Sequence, residues 1–247
     1  MIAVPRKYQA VFFGHIADIQ PSADTIPPLL EAFRVPGLLP STFHEVGLAV
    51  PMAAAQVRLR LSTPDNEWTI DFETNRINIQ KNSVKPLGSN LGSPEDFTRD
   101  AIDFLGRILG KFPRRANRLA LVTNGLMDEM PAEKLETIYN RLLVPLKFYV
   151  ENRPIAWNSR TLARITVNID GKDETLNVIT KVNRVQGNLA REGAISRFDR
   201  VEVEFDINTY QDNADARFET SSVYAFYSRA LGVRTTLLKM IEEQING

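Results

Sequence analysis

The chain has 247 residues with 30 basic and 30 acidic side chains, and its formal net charge of zero argues against a dedicated polyanion-binding protein. It contains no cysteine, which excludes disulfides, thiolate nucleophiles and zinc–thiolate sites. Its length suits one large domain or two small ones. The first residues lack the apolar core of a signal peptide, and no apolar run is long enough to span a membrane. We therefore expect a cytoplasmic protein without a membrane partner.

The first half of the chain alternates between strand and helix patterns. Its predicted elements are, in chain order, a strand at 8–16, a short helix from Asp24, a candidate edge strand at 43–50, a three-stranded meander over 56–80 and a helix from Ser93 to about Gly110. The meander is predicted from apolar and polar residues that alternate with a period of two. Ser93 precedes a proline and two acidic residues, which is typical of a helix N-cap.

The second half repeats this plan. Its predicted elements are a strand at 119–123, a helix from Pro131, an irregular strand at 148–157, a meander at 165–182, a strand at 199–207 and a closing helix from Ser221 or Ser222. Asp170-Gly171 favours a tight turn inside the second meander. Apolar residues recur every three or four positions in the closing helix, which predicts a buried stripe.

Each half therefore has the order strand, helix, meander, helix. This order predicts an α+β protein of two related lobes, residues 1–115 and 116–247, each an antiparallel meander packed by helices. With the strand at 119–123 closing it, the first half approximates the β-α-β-β-α-β order of a ferredoxin-like unit. The alternative is a single α+β domain with one continuous sheet.

Three short stretches carry a resemblance to a known family. They are the first-half meander, with Arg58-Leu-Arg-Leu-Ser62, Asp65-Asn66-Glu67-Trp68-Thr69-Ile70 and Arg76-Ile77-Asn78, the strand Arg118-Leu-Ala-Leu-Val-Thr-Asn124, and the closing helix at 223–241. They resemble the corresponding segments of a sporadically distributed, uncharacterised family of bacterial proteins. The resemblance implies no catalytic residues. It implies a bacterial accessory protein of a mobile-element or defence-type locus.

The strand at 199–207 presents a row of three carboxylates, from Glu202, Glu204 and Asp206, opposite its apolar face. Neighbouring members lie about 6.5–7 Å apart, so they are weak candidate ligands for Mg²⁺ or Ca²⁺. The favoured interpretation is a solvated row that faces Lys181 or Arg164 across the sheet. We therefore predict neither a metal site nor a cofactor.

No catalytic constellation is recognisable in the chain. The two histidines, His15 and His44, each have an acidic residue nearby in sequence, but neither lies in a known catalytic motif. His15 lies within the apolar strand at 8–16, where we expect a hydrogen-bonded core histidine. We therefore predict no catalytic residues and lean towards a protein that is not an enzyme.

Two sets of side chains are candidate binding surfaces. A basic groove between the lobes, suited to nucleic acid, would use Lys111, Arg114, Arg115, Arg118, Arg184 and Arg191. The alternative for these cations is a solvated linker that complements a helix C-terminus. A homodimer or partner interface on the closing helix would use Tyr227, Leu231, Leu238 and Ile241.

These observations predict a non-enzymatic interaction or adaptor protein that forms a homo-oligomer or binds a protein partner. The first alternative is a nucleic-acid-binding module that uses the basic groove. The second alternative is a metal-dependent enzyme that uses the row of carboxylates.

Overall fold

The structure, a computed structural model, describes residues 2–34, 37–46, 55–85, 91–191 and 194–246, and only the backbone at 189–191 and 194–196. Its strands are β1 (Ile2–Phe13), β2 (Leu39–Glu45), β3 (Gln56–Ser62), β4 (Trp68–Phe72), β5 (Arg76–Asn82), β6 (Arg118–Met127), β7 (Trp157–Ile169), β8 (Lys172–Arg191) and β9 (Ala194–Thr209). Its helices are α1 (Ile26–Phe33), α2 (Pro94–Lys111), α3 (Ala132–Leu142), α4 (Lys147–Glu151) and α5 (Thr220–Asn246).

All nine strands form one antiparallel sheet in the order β2-β3-β4-β5-β1-β6-β9-β8-β7. The two halves join where β1 pairs with β6, with Tyr8 opposite Thr123. The predicted α+β class, with antiparallel meanders packed by helices, is confirmed. β1 lies between β5 and β6, as the split β-α-β-β-α-β order requires. Both halves share this sheet, as the alternative of one continuous sheet expects. The division into lobes at residue 115 stays a prediction.

Helices α1, α2, α3 and α5 cover one face of this sheet. In the first half they pack on side chains such as Phe12, and in the second half on side chains such as Phe205. Both side chains are fully buried, as the alternation of their strands predicts. The opposite face carries Gln9, Asn124 and Glu204 and is covered by none of these helices. We call it the open face.

Helix α5 ties the two halves together. Its 27 residues span about 40 Å and follow the sheet across both hydrophobic clusters. Val223 and Phe226 belong to the first cluster, whereas Ile241 and Ile245 belong to the second. None of the described helices combines the length and the apolar character needed to cross a membrane.

Local signals explain several element boundaries. The Ser93 hydroxyl accepts a hydrogen bond of 3.0 Å from the backbone N–H of Asp96, as the predicted N-cap requires. Asp170 and Gly171 both have positive φ, 52° and 82°, which suits the two-residue turn between β7 and β8. Such a turn closes a hairpin whose strands keep one register over the whole of β7.

The predicted strand at 148–157 is wrong. The chain forms α4 there, and β7 starts only at Trp157. This stretch is apolar without a period of two, so its pattern does not specify a pleated strand. A predicted edge strand at 43–50 corresponds to β2, which begins earlier, and residues 47–50 lie outside the described residues.

Candidate functional site

The three predicted carboxylates lie on the open face of β9, where they face neighbouring polar side chains. Lys181 Nζ donates a hydrogen bond of 2.6 Å to Glu204, and Asn208 Nδ2 donates one of 2.9 Å to Asp206. Glu202 lies 3.7 Å from Arg6 in an ion pair. Within the described ranges, no three His, Asp or Glu side chains converge closely enough to hold a metal ion. The row therefore has the geometry of cross-strand pairs.

Arg164, the other predicted neighbour of this row, is directed elsewhere. Its Nε donates a hydrogen bond of 3.2 Å to Asn177, and its guanidinium lies 4.5 Å from the centre of the Tyr210 ring. Asn177 in turn donates to Asn208, so the open face carries a chain of amides beside the carboxylates. Asn177 and Asn208 are buried although no helix covers them, because neighbouring polar side chains enclose them.

The basic residues at 111–115 are held by acidic partners. Lys111 lies 2.9 Å from Glu31. Arg114 binds both carboxylate oxygens of Asp18, at 3.0 and 3.1 Å. Burial opposes ionisation of Asp18, but the hydrogen bond and charge of Arg114 outweigh it and hold the pKa of that carboxyl below its usual value.

Arg115 makes a further ion pair with Glu219. Pairing of this kind neutralises much of the positive charge at 111–115, so that little of it remains to attract phosphate groups.

Two of the remaining basic candidates, Arg118 and Arg184, do not converge on this cluster. Arg118 lies on the open face, where its guanidinium stacks on Phe13 at 4.8 Å and burial lowers its pKa. Arg184 binds both oxygens of Asp199 on the other half of the sheet, and this hydrogen bonding raises the pKa of the guanidinium. Arg184 stands opposite Val201, about 23 Å along β9 from Asn208, which accepts a hydrogen bond of 3.1 Å from Arg118. The Arg191 side chain lies outside the described residues.

The predicted interface residues of α5 divide into two groups. Tyr227 and Ile241 are buried against the sheet of the same chain, and the Tyr227 hydroxyl donates a hydrogen bond of 3.0 Å to the Val11 carbonyl. Burial raises the pKa of this tyrosine above its ordinary value. Leu231 and Leu238 are half-buried at the edges of the helix contact. Only these two are accessible to a partner.

Both histidines lie at the surface, so the expected core position of His15 is wrong. The His15 side chain is exposed just beyond β1, and only its backbone carbonyl contacts Arg114. His44 is exposed on β2. Glu45 beside it accepts hydrogen bonds from Thr74, so the two do not form an acid–base pair.

A surface that the sequence interpretation missed lies between α3 and β7. We call residues 143–155 the apolar segment. Its exposed side chains, with their exposed fractions, are Val144 (100%), Leu146 (70%), Phe148 (63%), Tyr149 (44%), Val150 (62%) and Ile155 (73%). Helix α4, at its centre, buries none of its residues. The signal available in the sequence was an apolar run with neither helical nor strand periodicity.

A cleft of about 170 Å³ adjoins the apolar segment and extends to α3. Tyr139 and Trp157 line it, with ring centres 6.1 Å apart, and Ile155 lies at its edge. Trp157 is 8% exposed, and its Nε1 donates a hydrogen bond to no described residue. The cleft therefore has aromatic walls, and one of its lining residues, Trp157, carries a buried N–H donor without a hydrogen-bond partner among the described residues.

Comparisons with known proteins add little to this geometry. No protein-family model and no curated protein matches the chain. Among solved structures, it is similar to the di-domain ARO/CYC StfQ from the steffimycin biosynthetic pathway, with 8% identity and a TM-score of 0.22 over 97% of this chain and 98% of that one. A similarity at that TM-score indicates no function. The resemblance to the bacterial family stays a prediction.

Proposed function

We propose that this chain is a non-enzymatic interaction protein that binds a second copy of itself or another protein through the apolar segment and the cleft beside it. The observation that carries the proposal is the clustering of six large, exposed apolar side chains within residues 143–155. Isolated apolar residues are normal on a protein surface, whereas clusters of this size mark interaction sites.

The size of this surface suits a protein partner. The exposed fractions amount to about four complete side chains, or on the order of 600–800 Å² of apolar area. The largest apolar patch of a typical monomer is about 300–600 Å², and a standard interface buries about 800 Å² per partner. The apolar segment therefore supplies most of the area that one side of a specific interface needs.

The cleft supplies an anchoring position for the same partner. A volume of about 170 Å³ accommodates one large side chain between Tyr139 and Trp157. Arg153, at the mouth of the cleft, is paired with Glu136 at 3.0 Å. Aromatic walls with a polar rim are typical of the centre of an interface.

The double variant Phe148→Ser with Ile155→Ser tests this proposal. We expect the unmodified protein to form a stable complex, measured as mass by light scattering over a range of concentrations and as retention of a partner on the immobilised chain. The double variant should lose that complex, because it removes two of the largest exposed side chains. Met240→Ser is the matched control, since Met240 is an isolated exposed residue on α5. A monomer at every concentration with nothing retained, or an unaffected double variant, would overturn the proposal.

A further inference from the structure

Strand β7 forms one edge of the sheet. All 13 of its residues pair with β8 on one side, and no other described strand pairs with its outer side. It is about 43 Å long and carries no proline. An edge strand presents backbone N–H and C=O groups that an added strand can pair with.

This edge carries positive charge. Arg160 and Arg164 are exposed on the open face of β7, whereas Lys181, opposite Arg160 on β8, is already paired with Glu204. Strand β7 contains no aspartate or glutamate. Among the described residues, neither Arg160 nor Arg164 makes an ion pair, although Arg164 binds Asn177 and stacks on Tyr210. Neither guanidinium therefore has a carboxylate counterpart among the described residues beside the outer backbone of β7.

The helix side of the same edge is open, and several small residues contribute to its lining. A cleft of about 850 Å³ lies between the end of the β7–β8 hairpin and α5. Its α5 wall includes Ala225, Ser228 and Gly232, and a Cβ added at Gly232 would have no neighbour within 4 Å. An added strand would direct its alternate side chains to this side, beside the half-buried Ile165 and Val167.

A second copy of the chain is a poor occupant of this edge. If two β7 strands paired antiparallel about a two-fold axis centred on Leu162, each Arg160 would stand opposite Arg164 of the other copy. Like charges in directly opposite positions destabilise a strand pair. The charge of the edge instead favours a strand that brings carboxylates.

We propose that the β7 edge binds an extended segment of another protein whose acidic and apolar residues alternate, so that it adds a tenth strand with its carboxylates facing Arg160 and Arg164. The inference rests on the proposed function as an interaction protein and names the chemistry of one partner, but it uses a surface distinct from the apolar segment. The sheet itself contains a strand of this pattern, since β9 alternates carboxylates with buried apolar residues and Glu204 meets Lys181 at 2.6 Å.

The test uses a fluorescent capped peptide of alternating glutamate and valine, with a lysine–valine peptide of equal length for comparison. We expect the full chain to bind the acidic peptide in an anisotropy titration and to bind the basic one at least about tenfold more weakly. The variant Arg160→Glu with Arg164→Glu should weaken acidic-peptide binding by about tenfold or more. Arg99→Glu, an exposed charge reversal on α2, should leave it unchanged. Equal binding of both peptides, or of both charge variants, would overturn the proposal.

Hydrogen exchange separates strand addition from loose electrostatic attraction. Backbone pairing should slow amide exchange along β7 when the acidic peptide is bound, and unchanged exchange would overturn the proposal. The variant Phe148→Ser with Ile155→Ser should bind the peptide like the unmodified chain, because it leaves the β7 edge intact. The two proposals can therefore fail separately. Light scattering and partner retention test the apolar segment, whereas the peptide titration and hydrogen exchange test the β7 edge.

Discussion

Replacing Arg234 by methionine should stabilise the protein. Arg234 lies on the sheet side of α5 between the two hydrophobic clusters, with only 7% of its surface exposed. Its Nε donates a hydrogen bond to no described residue, and its guanidinium lies 5.8 Å from the centre of the Phe205 ring. Burial lowers the pKa of this guanidinium, while Tyr8 and Glu95 partly oppose that effect. The position therefore holds a cation in a place suited to an apolar side chain.

The expected magnitude follows from the cost of removing a charge from water. Burying an ion costs several kcal/mol, and replacing buried ionic groups by apolar residues of similar volume often stabilises a protein by about 1–4 kcal/mol. We expect Arg234→Met to raise the free energy of unfolding by about 1–3 kcal/mol. In a chain of this length, each kcal/mol corresponds to about 2–4 °C in Tm. The gain arises because methionine retains the packing of the aliphatic stem without the charge.

Arg234→Ala is the matched comparison, because it removes the charge and the stem together. It should be less stable than Arg234→Met by about 2 kcal/mol or more, owing to the cavity that the missing stem leaves. Both free energies are measured at pH 7 by urea denaturation, with equal m-values as the check that the unfolding transition is unchanged. If Arg234→Met instead lowered the free energy of unfolding by more than about 1 kcal/mol, the Arg234 guanidinium would be well paired in the folded protein and the reasoning would be wrong.

Further expectations concern β9 and its neighbours. Phe205→Ala should lower the free energy of unfolding by about 3–5 kcal/mol in urea denaturation, since this ring is fully buried, and a loss below about 1 kcal/mol would contradict its core position. Changing Glu202 and Glu204 to glutamine and Asp206 to asparagine together should alter the free energy of unfolding by no more than about 1–2 kcal/mol. Partly exposed ion pairs of this kind contribute little to stability. Hydrogen bonds from a guanidinium lower the pKa of Asp199, so its contribution to stability should be present above about pH 4 and lost as the pH falls through its folded value. Asp199→Asn should therefore make the free energy of unfolding depend less on pH in the acid range. An unchanged dependence on pH would argue against the ion pair between Asp199 and Arg184.

Much of the local structure could be predicted from period and capping signals. The alternation in β9 predicted that Val203 and Phe205 would be buried, and it placed Glu204 on the opposite face, where Lys181 meets it. Ser93 predicted the start of α2. These predictions succeeded because strand and helix periods are properties of neighbouring residues and need no knowledge of the rest of the chain.

The candidate binding surfaces could not be predicted in the same way. Tyr227 continues the apolar pattern of α5, but the pattern does not show that the sheet of the same chain buries it. The apolar segment has no period, so its sequence does not show whether its side chains enter the core or remain exposed. Exposure depends on whether another element covers a side chain, which is a property of the assembled fold.

The sequence by itself determined the α+β class, the order of most elements and the buried face of most strands, because each depends on contacts between near neighbours. Only the tertiary structure decided that both halves share one sheet, since the pairing of Tyr8 with Thr123 joins distant parts of the chain. The same long-range pairing leaves β7 at an edge with Arg160 and Arg164 exposed. No local pattern encodes which strand finds no neighbour, so both proposed binding surfaces emerged only from the fold.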